Sequence, residues 1–261
     1  MNRYFIELSY KGGRYAGFQV QENAVTIQWE VEKALGTYFR ERFSLTGSSR
    51  TDAGVHARQN FFHFDTDRTV PPRAIYNLNA LLPPDIAVIG LYPVRETAHC
   101  RFDALTREYE YSIYHAKDPF LADLAYFYPY TLDPGKLQAA ADMIREYNDF
   151  TSFAKRNSQV KTFLCQILDS RWEERDWGWV YRVRANRFLR GMVRGLVGTM
   201  LQAGRGKLTL DGFRGVIEAR DCTKADFSVP GHGLQLVRVE YPEGYFEREG
   251  ENRLDPDSAT S

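Results

Sequence analysis

Strand-like and helix-like patterns follow one another along the first part of the chain in an order that few folds share. Apolar and polar residues alternate over 3–10, which predicts a half-buried strand. A helical pattern follows over 26–39, where Thr26 supplies the N-cap. The remaining predictions in this half are two strands, a helix and a buried strand, in that order: 43–46, 59–65, 71–82 and 86–92. This order, β-α-β-β-α-β, is that of the ferredoxin-like unit.

The second half of the chain repeats this order and adds one helix. Its first strand, 107–114, places Tyr109, Tyr111 and Ile113 on one face. The later predictions are a helix, two strands, two more helices and a last strand: 134–146, 162–173, 177–185, 186–200, 211–219 and 234–241. We therefore predict an α+β fold of two ferredoxin-like (βαββαβ) subdomains with mainly antiparallel sheets.

The predicted boundaries follow from these two sets of elements. The N-terminal subdomain is expected over 1–98 and the C-terminal subdomain over 99–244. The remaining residues, 245–261, are acidic and polar, and we expect them to form a disordered tail.

Charge is balanced over the whole chain but uneven along it. With 34 basic and 34 acidic residues the formal net charge is zero, which argues against a protein that simply coats nucleic acid. Residues 182–214, however, contain eight basic residues and one acidic residue. A local basic face of this kind is sufficient to bind RNA.

Several classes of protein are not expected from the composition. No apolar run approaches the roughly 18 residues that a membrane span needs, and the charged N-terminus does not resemble a signal peptide. The three cysteines, Cys100, Cys165 and Cys222, are far apart and show no Cys-x-x-Cys spacing. We therefore expect no zinc site, no disulfide framework and a reducing, cytoplasmic environment.

The polar stretch 48–57 lies between two predicted strands and is the first candidate for a functional loop. Arg50 stands two residues before Asp52, and a nearby guanidinium keeps a carboxylate ionised, typically lowering its pKa by roughly 1–3 units. Gly54 permits a sharp turn or a close approach to a ligand. The residues alone also fit an ordinary turn in which Asp52 bonds to its own backbone.

Seven short motifs occur along the chain in a fixed order. They are Tyr10–Gln19, Arg50–Ala57, His99–Phe102, Arg107–Tyr111, Asp149–Phe153, Phe188–Gly198 and Gly233–Leu236. Together they resemble the motifs of the TruA family of tRNA pseudouridine synthases, and the resemblance covers about residues 3–242. The departures are small, such as Cys100 where alanine is common.

The resemblance implies roles for four residues. Asp52 corresponds to the catalytic aspartate, and Arg194 to the arginine that pairs with it. Tyr109 corresponds to the tyrosine that lies against the target base, and Leu234 to a leucine that lines the uracil pocket. From the residues alone, Tyr109 also fits a core tyrosine with a bonded hydroxyl, and we favour that interpretation for Tyr111.

Four arginines are predicted to bind the substrate: Arg50, Arg101, Arg187 and Arg190. Arg187 and Arg190 recur with Arg194 at intervals of three and four, which places all three on one side of a predicted helix. Arg50 is a candidate to fill the gap left by an extruded base or to hold a phosphate. Around the Asp149 motif, Lys155 and its basic neighbours fit either phosphate contacts or a solvated charged loop.

The resemblance also implies an activity. The family converts uridine to pseudouridine at positions 38, 39 and 40 in the anticodon stem-loop of tRNA, and its members are homodimers with a central catalytic cleft between the subdomains. The reaction is an isomerisation, so no cofactor and no metal are expected. The expected partners are tRNA and a second copy of the chain, with no membrane.

Two other classes of function remain open at this stage. A non-catalytic RNA-binding protein could use the same βαββαβ unit, although the strand over 59–65 echoes the usual aromatic signature only weakly, through its three phenylalanines. A hydrolase acting on nucleosides would need a second acidic residue at the site, and no such residue can be assigned from the sequence.

Overall fold

The computed structural model describes residues 1–156 and 160–246, which form an α+β structure of two compact units. Unit 1 contains residues 1–53 and 57–105 and the described residues from 239 onward. Unit 2 contains residues 54–56 and 106–238. The compact units thus divide at Leu105 and Thr106, whereas the sequence suggested a division between residues 98 and 99.

The helices and strands follow the predicted order. The strands are β1 Asn2–Tyr10, β2 Thr46–Gly47, β3 His56–Thr66, β4 Ile86–Val94, β5 Thr106–Tyr114, β6 Tyr126–Phe127, β7 Ile167–Arg175, β8 Gly178–Ala185 and β9 Leu234–Glu240. The α-helices are α1 Ile27–Phe39, α2 Ala74–Leu81, α3 Pro134–Met143, α4 Met192–Gly204 and α5 Leu210–Glu218. In the part of the chain that the structure describes, no helix is both long enough and apolar enough to cross a membrane.

The sheet of unit 1 is antiparallel, with the strand order β4-β1-β3 and the short β2 paired to β3. The prediction of a half-buried β1 was wrong, because all five residues from Tyr4 to Leu8 are buried. The prediction of a buried β4 was also wrong, because Ile89 is 53% exposed and burial alternates along the strand. The central strand is covered on both faces, and the edge strand on only one.

The two helices of unit 1 begin and end near their predicted limits. Thr26 Oγ1 accepts a hydrogen bond from Trp29 N at 3.3 Å, so the predicted N-cap of α1 is confirmed. Phe39 at the end of α1 packs against Phe43, which in turn meets Phe64 of β3 edge-on at 5.4 Å. These aromatic contacts form part of the unit 1 core.

A turn after β9 packs in unit 1. The ring of Phe246 stacks on Phe61 at 5.3 Å, and the Tyr245 hydroxyl donates to Asp103. Residues 245 and 246, predicted to begin a disordered tail, are therefore packed against the core. The rest of the predicted tail, 247–261, lies outside the described residues.

The sheet of unit 2 has the strand order β9-β5-β8-β7, with β8 antiparallel to both of its neighbours. The two-residue β6, which the sequence did not predict, pairs parallel to β5. The strand predicted over 162–173 begins only at Ile167, and β2 is shorter than the predicted 43–46 segment and shifted toward Gly47. Residues 162–166 instead pair locally, through an isolated bridge between Leu164 and Asp149 and a hydrogen bond from Cys165 N to Asn148 O at 2.8 Å.

The helices of unit 2 show one important difference from prediction. Helix α4 begins at Met192, after Gly191 in the left-handed conformation at φ 74°. Arg187 and Arg190 therefore precede the helix, and only Arg194 lies on it. The prediction that the three arginines share one helix face was wrong, because the left-handed residue ends the periodic pattern at Gly191.

Candidate active-site loop and its supporting elements

The loop that carries Asp52 is held by one buried amide in unit 1. Asn60 of β3 has no exposed surface, and its Nδ2 donates to the carbonyl oxygen of Ser49 at 3.0 Å. Its Oδ1 accepts from the Ser48 hydroxyl at 2.9 Å. Because a buried amide that loses these partners is costly, Asn60 fixes the start of the loop to the sheet.

A tyrosine on the neighbouring strand extends this network to the residue before Asp52. Tyr10 Oη lies 2.9 Å from Thr51 Oγ1 and accepts from Asn60 Nδ2 at 3.0 Å. Burial raises the pKa of Tyr10 to about 12, although its hydrogen bonds with Thr51 and Asn60 oppose this shift. Tyr10 is thus a neutral, buried support for the loop, while Asp52 itself is half-buried.

A glycine loop after β1 packs on the backbone of Asp52. The Phe18 amide donates to Thr51 O at 3.0 Å. Gly17 has φ +97°, and a Cβ added there would lie 3.0 Å from Thr51 O and 3.3 Å from Asp52 C. The Tyr10–Gln19 motif therefore supports the Asp52 loop. Its aromatic residues, Tyr15 and Phe18, are buried in the core rather than available to stack on bases.

Two of the predicted substrate-binding arginines line one cavity in unit 1. Arg50 and Arg101 are both exposed, and they border a cavity of about 190 Å³ together with His99 and Phe102. The Phe102 ring is 74% exposed, and the Arg101 guanidinium lies 5.8 Å from its centre. An exposed ring beside two guanidinium groups suits contact with a nucleotide, whose base stacks and whose phosphate is anionic.

The second part of the Arg50–Ala57 motif packs within unit 2. His56 is buried, and its Nε2 lies 3.0 Å from His232 O. A Cβ added at Gly54, which has φ +78°, would lie 3.6 Å from His232 N. The motif therefore consists of two short segments. The first is anchored in unit 1 and carries Asp52 near its end, and the second packs in unit 2.

Arg194 is held by carbonyl groups of the chain that precedes β9. Its Nε donates to Val229 O at 2.8 Å, and its Nη2 donates to Phe227 O at 3.3 Å. The side chain is half-buried. Two directed hydrogen bonds fix the plane of the guanidinium, a geometry that lysine could not reproduce.

The segment that holds Arg194 is itself attached to α4. Asp226 N donates to Thr199 Oγ1 at 3.0 Å, and Gln202 Nε2 donates to Asp226 Oδ2 at 2.8 Å. A Cβ on Gly198 would collide with the Asp226 carbonyl oxygen, so the helix and this segment approach more closely than any other residue would allow.

The predicted base-binding residues lie on the two neighbouring strands β5 and β9. Tyr109 is 8% exposed, and its ring meets Phe188 edge-on at 5.1 Å. Leu234, the first residue of β9, is 7% exposed. Tyr111 is fully buried and its hydroxyl donates to Pro230 O at 2.8 Å, which confirms the interpretation of Tyr111 as a core residue.

Basic side chains collect around the loop before α4. The Lys155 amide donates to Arg190 O at 2.9 Å, and both side chains are exposed. Arg187 is half-buried in the same loop. Arg182, by contrast, is engaged by three glutamates of its own sheet: Glu108, Glu110 and Glu173. The basic count over 182–214 therefore overstates the charge that is available to a polyanion.

Three supporting residues were not identified from the sequence as part of the candidate site. Asn60, Tyr10 and Gly17 touch the Asp52 loop, yet none carries a reactive group. One signal was present: Asn60 is a neutral polar residue directly before the aromatic run 61–64, and such a residue must find partners when it is buried.

Comparison with known proteins agrees with the motif resemblance. A family model described as tRNA pseudouridine synthase matches residues 147–242. A protein of Parabacteroides distasonis, named tRNA pseudouridine synthase A, is 47% identical over 248 residues, which cover 94% of this chain and 98% of the relative. Proteins of the same name from Bacteroides thetaiotaomicron and Bacteroides fragilis are 47% and 44% identical, covering 95% of this chain and 94% and 99% of the relatives.

Proposed function

Because the chain belongs to the tRNA pseudouridine synthase A family, we propose that it isomerises uridine to pseudouridine in tRNA. The relationship runs over nearly the full length of both chains, so it includes the Asp52 loop, α4 and β9. The observation that carries the proposal further is the network around Asp52. A carboxylate on a loop fixed by buried Asn60 and Tyr10 is positioned before the substrate arrives.

The proposed reaction exchanges one bond to the ribose for another. The bond from C1′ to uracil N1 breaks, the base turns, and C1′ joins C5. The hydrogen on C5 then leaves as a proton, while N1 gains one. No electrons are gained or lost overall, so we propose chemistry without a cofactor.

Asp52 is proposed as the nucleophile or base of this reaction. The ribose carbon becomes cationic as the base departs, and a carboxylate stabilises that charge or bonds to it, as in glycoside chemistry. Asp52 must therefore be ionised. We propose Arg194 as its ion-pair partner, a role for which a guanidinium oriented by two carbonyl groups is suited.

Tyr109 and Leu234 are proposed to hold the detached base. A base that must rotate before it reattaches needs apolar surfaces more than fixed hydrogen bonds. Both side chains are largely buried on the unit 2 sheet, and Phe188 restrains the Tyr109 ring. We also propose that the Tyr109 hydroxyl transfers a proton late in the reaction.

The proposed substrate is the anticodon stem-loop, modified at positions 38, 39 and 40. A target base inside a stem must leave its stack, at a cost of a few kcal/mol. We propose that Arg50 fills the gap left by the displaced base or holds a phosphate, and that Arg101, Arg187 and Arg190 also bind the substrate.

The architecture and assembly are part of the same proposal. The element order and the strand order within each unit fit a ferredoxin-like subdomain, and we propose that the chain is built of two such subdomains. We propose a cytoplasmic homodimer in which one tRNA contacts both chains. Light scattering of the purified protein with and without tRNA tests the stoichiometry.

The experiment uses tRNA transcripts tritiated at uracil C5, each with its only anticodon-stem uridine at position 38, 39 or 40. The proposal predicts release of tritium to water from all three, and pseudouridine at the same position by chemical mapping. Tight binding without release would leave an RNA-binding protein. Release of free uracil would instead indicate a hydrolase.

A further inference from the structure

Three side chains that commonly bind transition metals meet in unit 1. His63 lies on β3, and His99 and Cys100 lie in the connection that follows β4. One ligand atom of each lies within 4.8 Å of the others. From this arrangement we propose that His63, His99 and Cys100 bind one Zn²⁺ ion, with a water molecule in the fourth position.

The spacing of the cluster suits a tetrahedral zinc ion. Zinc binds histidine nitrogen at about 2.0–2.1 Å and cysteine sulfur at about 2.3 Å, which separates the ligand atoms by about 3.5 Å. His63 Nδ1 and Cys100 Sγ are 3.3 Å apart. The ligand atoms of all three residues lie within 4.8 Å of one another, so closing the site to about 3.5 Å requires a movement of about 1 Å.

The backbone around the ligands is already fixed. Cys100 has no exposed surface, and its carbonyl oxygen accepts from the Tyr241 hydroxyl. The His99 amide donates to Asp103 Oδ2 at 3.0 Å, and Asp103 also accepts from Tyr245. A preorganised site of this kind loses little entropy when a metal binds.

The charges that face the cluster are compatible with a cation. The guanidinium of Arg3 faces both histidines and is paired with Asp65 through two hydrogen bonds of 2.7 Å, and that of Arg101 also faces His99. Asp103, which accepts from the His99 amide, also lies 3.4 Å from Arg95. When the metal–sulfur bond forms, the Cys100 thiol releases its proton to solvent, so the bound thiolate neutralises part of the added charge.

The present contacts of the ligand atoms are ones that a metal could replace. His63 Nδ1 accepts from Cys100 N at 3.3 Å, and His99 Nδ1 accepts from Arg101 N at 3.2 Å, both long for such bonds. The Cys100 thiol donates to Thr46 O at 3.0 Å. Thr46 and His99 also border the cavity that contains Arg50, which gives an ion access from solvent.

This proposal departs from the expectation of a metal-free protein. That expectation used the absence of Cys-x-x-Cys spacing, together with the isomerisation that the family resemblance implies. Here β3 supplies one ligand and a connection 36 residues further along supplies the other two, so only the folded chain brings them together.

The test uses the reduced, untagged full chain, stripped of metal by a chelator and then titrated with Co²⁺ as a spectroscopic substitute for zinc. The wild type should bind one Co²⁺ with a thiolate-to-cobalt charge-transfer band. Equimolar Zn²⁺ should abolish the band, because zinc binds such sites more tightly than cobalt. Zinc should also raise the melting temperature of the wild type, since it stabilises only the folded state.

Two variants connect the signal to the proposed ligands. Cys100→Ala should lose the charge-transfer band and the zinc-dependent rise in melting temperature, whereas Cys222→Ala, at a half-buried cysteine elsewhere, should keep both. His99→Gln, at a half-buried position, should weaken cobalt binding at least about tenfold and covers the case in which Cys100→Ala does not fold. The absence of a band in the wild type, or its persistence in Cys100→Ala, would overturn the proposal.

Discussion

Asn60 and Tyr10 illustrate how single buried groups position a reactive one. Both side chains are buried, and both form hydrogen bonds with residues 48–51, just before Asp52. A loop that carries a catalytic carboxylate would otherwise sample many conformations, and each ordered residue costs about 1–2 kcal/mol of backbone entropy. Because the network already orders the loop in the folded protein, this entropy is not lost when tRNA binds.

Removing one hydroxyl from this network should therefore affect the rate more than binding. Tyr10→Phe leaves Thr51 Oγ1 and Asn60 Nδ2 each without one buried partner, at a cost of about 1–3 kcal/mol in the free energy of unfolding. We expect kcat to fall with little change in the Kd for tRNA. Single-turnover kinetics and a binding assay measure the two effects separately.

The matched control is Tyr4→Phe on the same strand. The Tyr4 hydroxyl is also in a buried side chain, but it accepts from Val70 N at 3.3 Å. This variant should lose similar stability and keep its kcat. Equal loss of kcat in both variants would show that the effect is general destabilisation and not the position of the loop.

At the scale of elements, two close approaches of backbone to backbone shape the candidate site. In unit 1 the loop after β1 rests on residues 51–53 through Gly17. In unit 2 the segment 226–229 rests on α4 through Gly198, and its carbonyl groups hold Arg194. The loop after β1 thus helps to position Asp52, and the segment 226–229 positions Arg194, although neither segment contains a predicted catalytic residue.

Gly17→Ala should displace the Asp52 loop. The new methyl group would press on Thr51 O, and alanine is strained at φ +97° by roughly 1–2 kcal/mol. We expect a lower melting temperature and a larger loss of kcat. Gly13→Ala in the same loop is the control, because a Cβ there meets nothing within 4 Å and should leave kcat unchanged.

Gly198→Ala tests the close contact between α4 and the segment 226–229. The added methyl group would force Asp226 away from α4, which should cost about 1–3 kcal/mol and move the acceptors of Arg194. Activity should fall even where the variant is folded by circular dichroism. Gly215→Ala, on the exposed face of α5, should instead stabilise the protein by up to about 1 kcal/mol. A stabilising Gly198→Ala would contradict this account.

For the molecule as a whole, neutral net charge coexists with local basic surfaces. The described acidic groups pair selectively, as Glu108, Glu110 and Glu173 do with Arg182. The exposed side chains of Lys155 and Arg190 lie in loops joined by a backbone hydrogen bond. Binding to tRNA should therefore depend on few basic residues rather than on overall charge.

The contribution of these basic residues to tRNA binding can be measured from the effect of salt concentration on the binding constant. Each lost phosphate contact reduces the slope of log K against log salt by about one. The double variant Arg187→Gln, Arg190→Gln should lower the slope by about two. Lys33→Gln, an exposed lysine on α1, should leave it unchanged. Equal slopes for the wild type and the double variant would exclude phosphate contacts by this loop.

Local patterns predicted the order of elements well but not the details that depend on packing. The cap at Thr26 and the burial of Tyr111 are local properties, and both were predicted correctly. The burial of β1 on both faces depends on a turn more than 200 residues later, whose Phe246 packs near Phe5. The end of the arginine pattern at Gly191 depends on a left-handed residue, which the apolar periodicity does not reveal.

The predicted site residues came from motifs, and their supports came only from the structure. Asp52 and Arg194 carry the charges that the chemistry needs, so a motif search finds them. Gly17 and Gly198 lie within two of the motifs, but the roles of these glycines and of Asn60 depend on contacts with distant segments and are visible only in the structure. The same limit applies to the cluster of His63, His99 and Cys100.

The most direct test of the central claim is tritium release from C5-labelled tRNA by wild type and Asp52→Asn in parallel. Asparagine keeps the size of the side chain and removes its charge. We predict that Asp52→Asn folds and binds tRNA but releases tritium at least about 10³-fold more slowly. Asp67→Asn, at an exposed aspartate of unit 1, should match the wild type. Release by Asp52→Asn at the wild-type rate would contradict the assignment of Asp52 as the catalytic carboxylate.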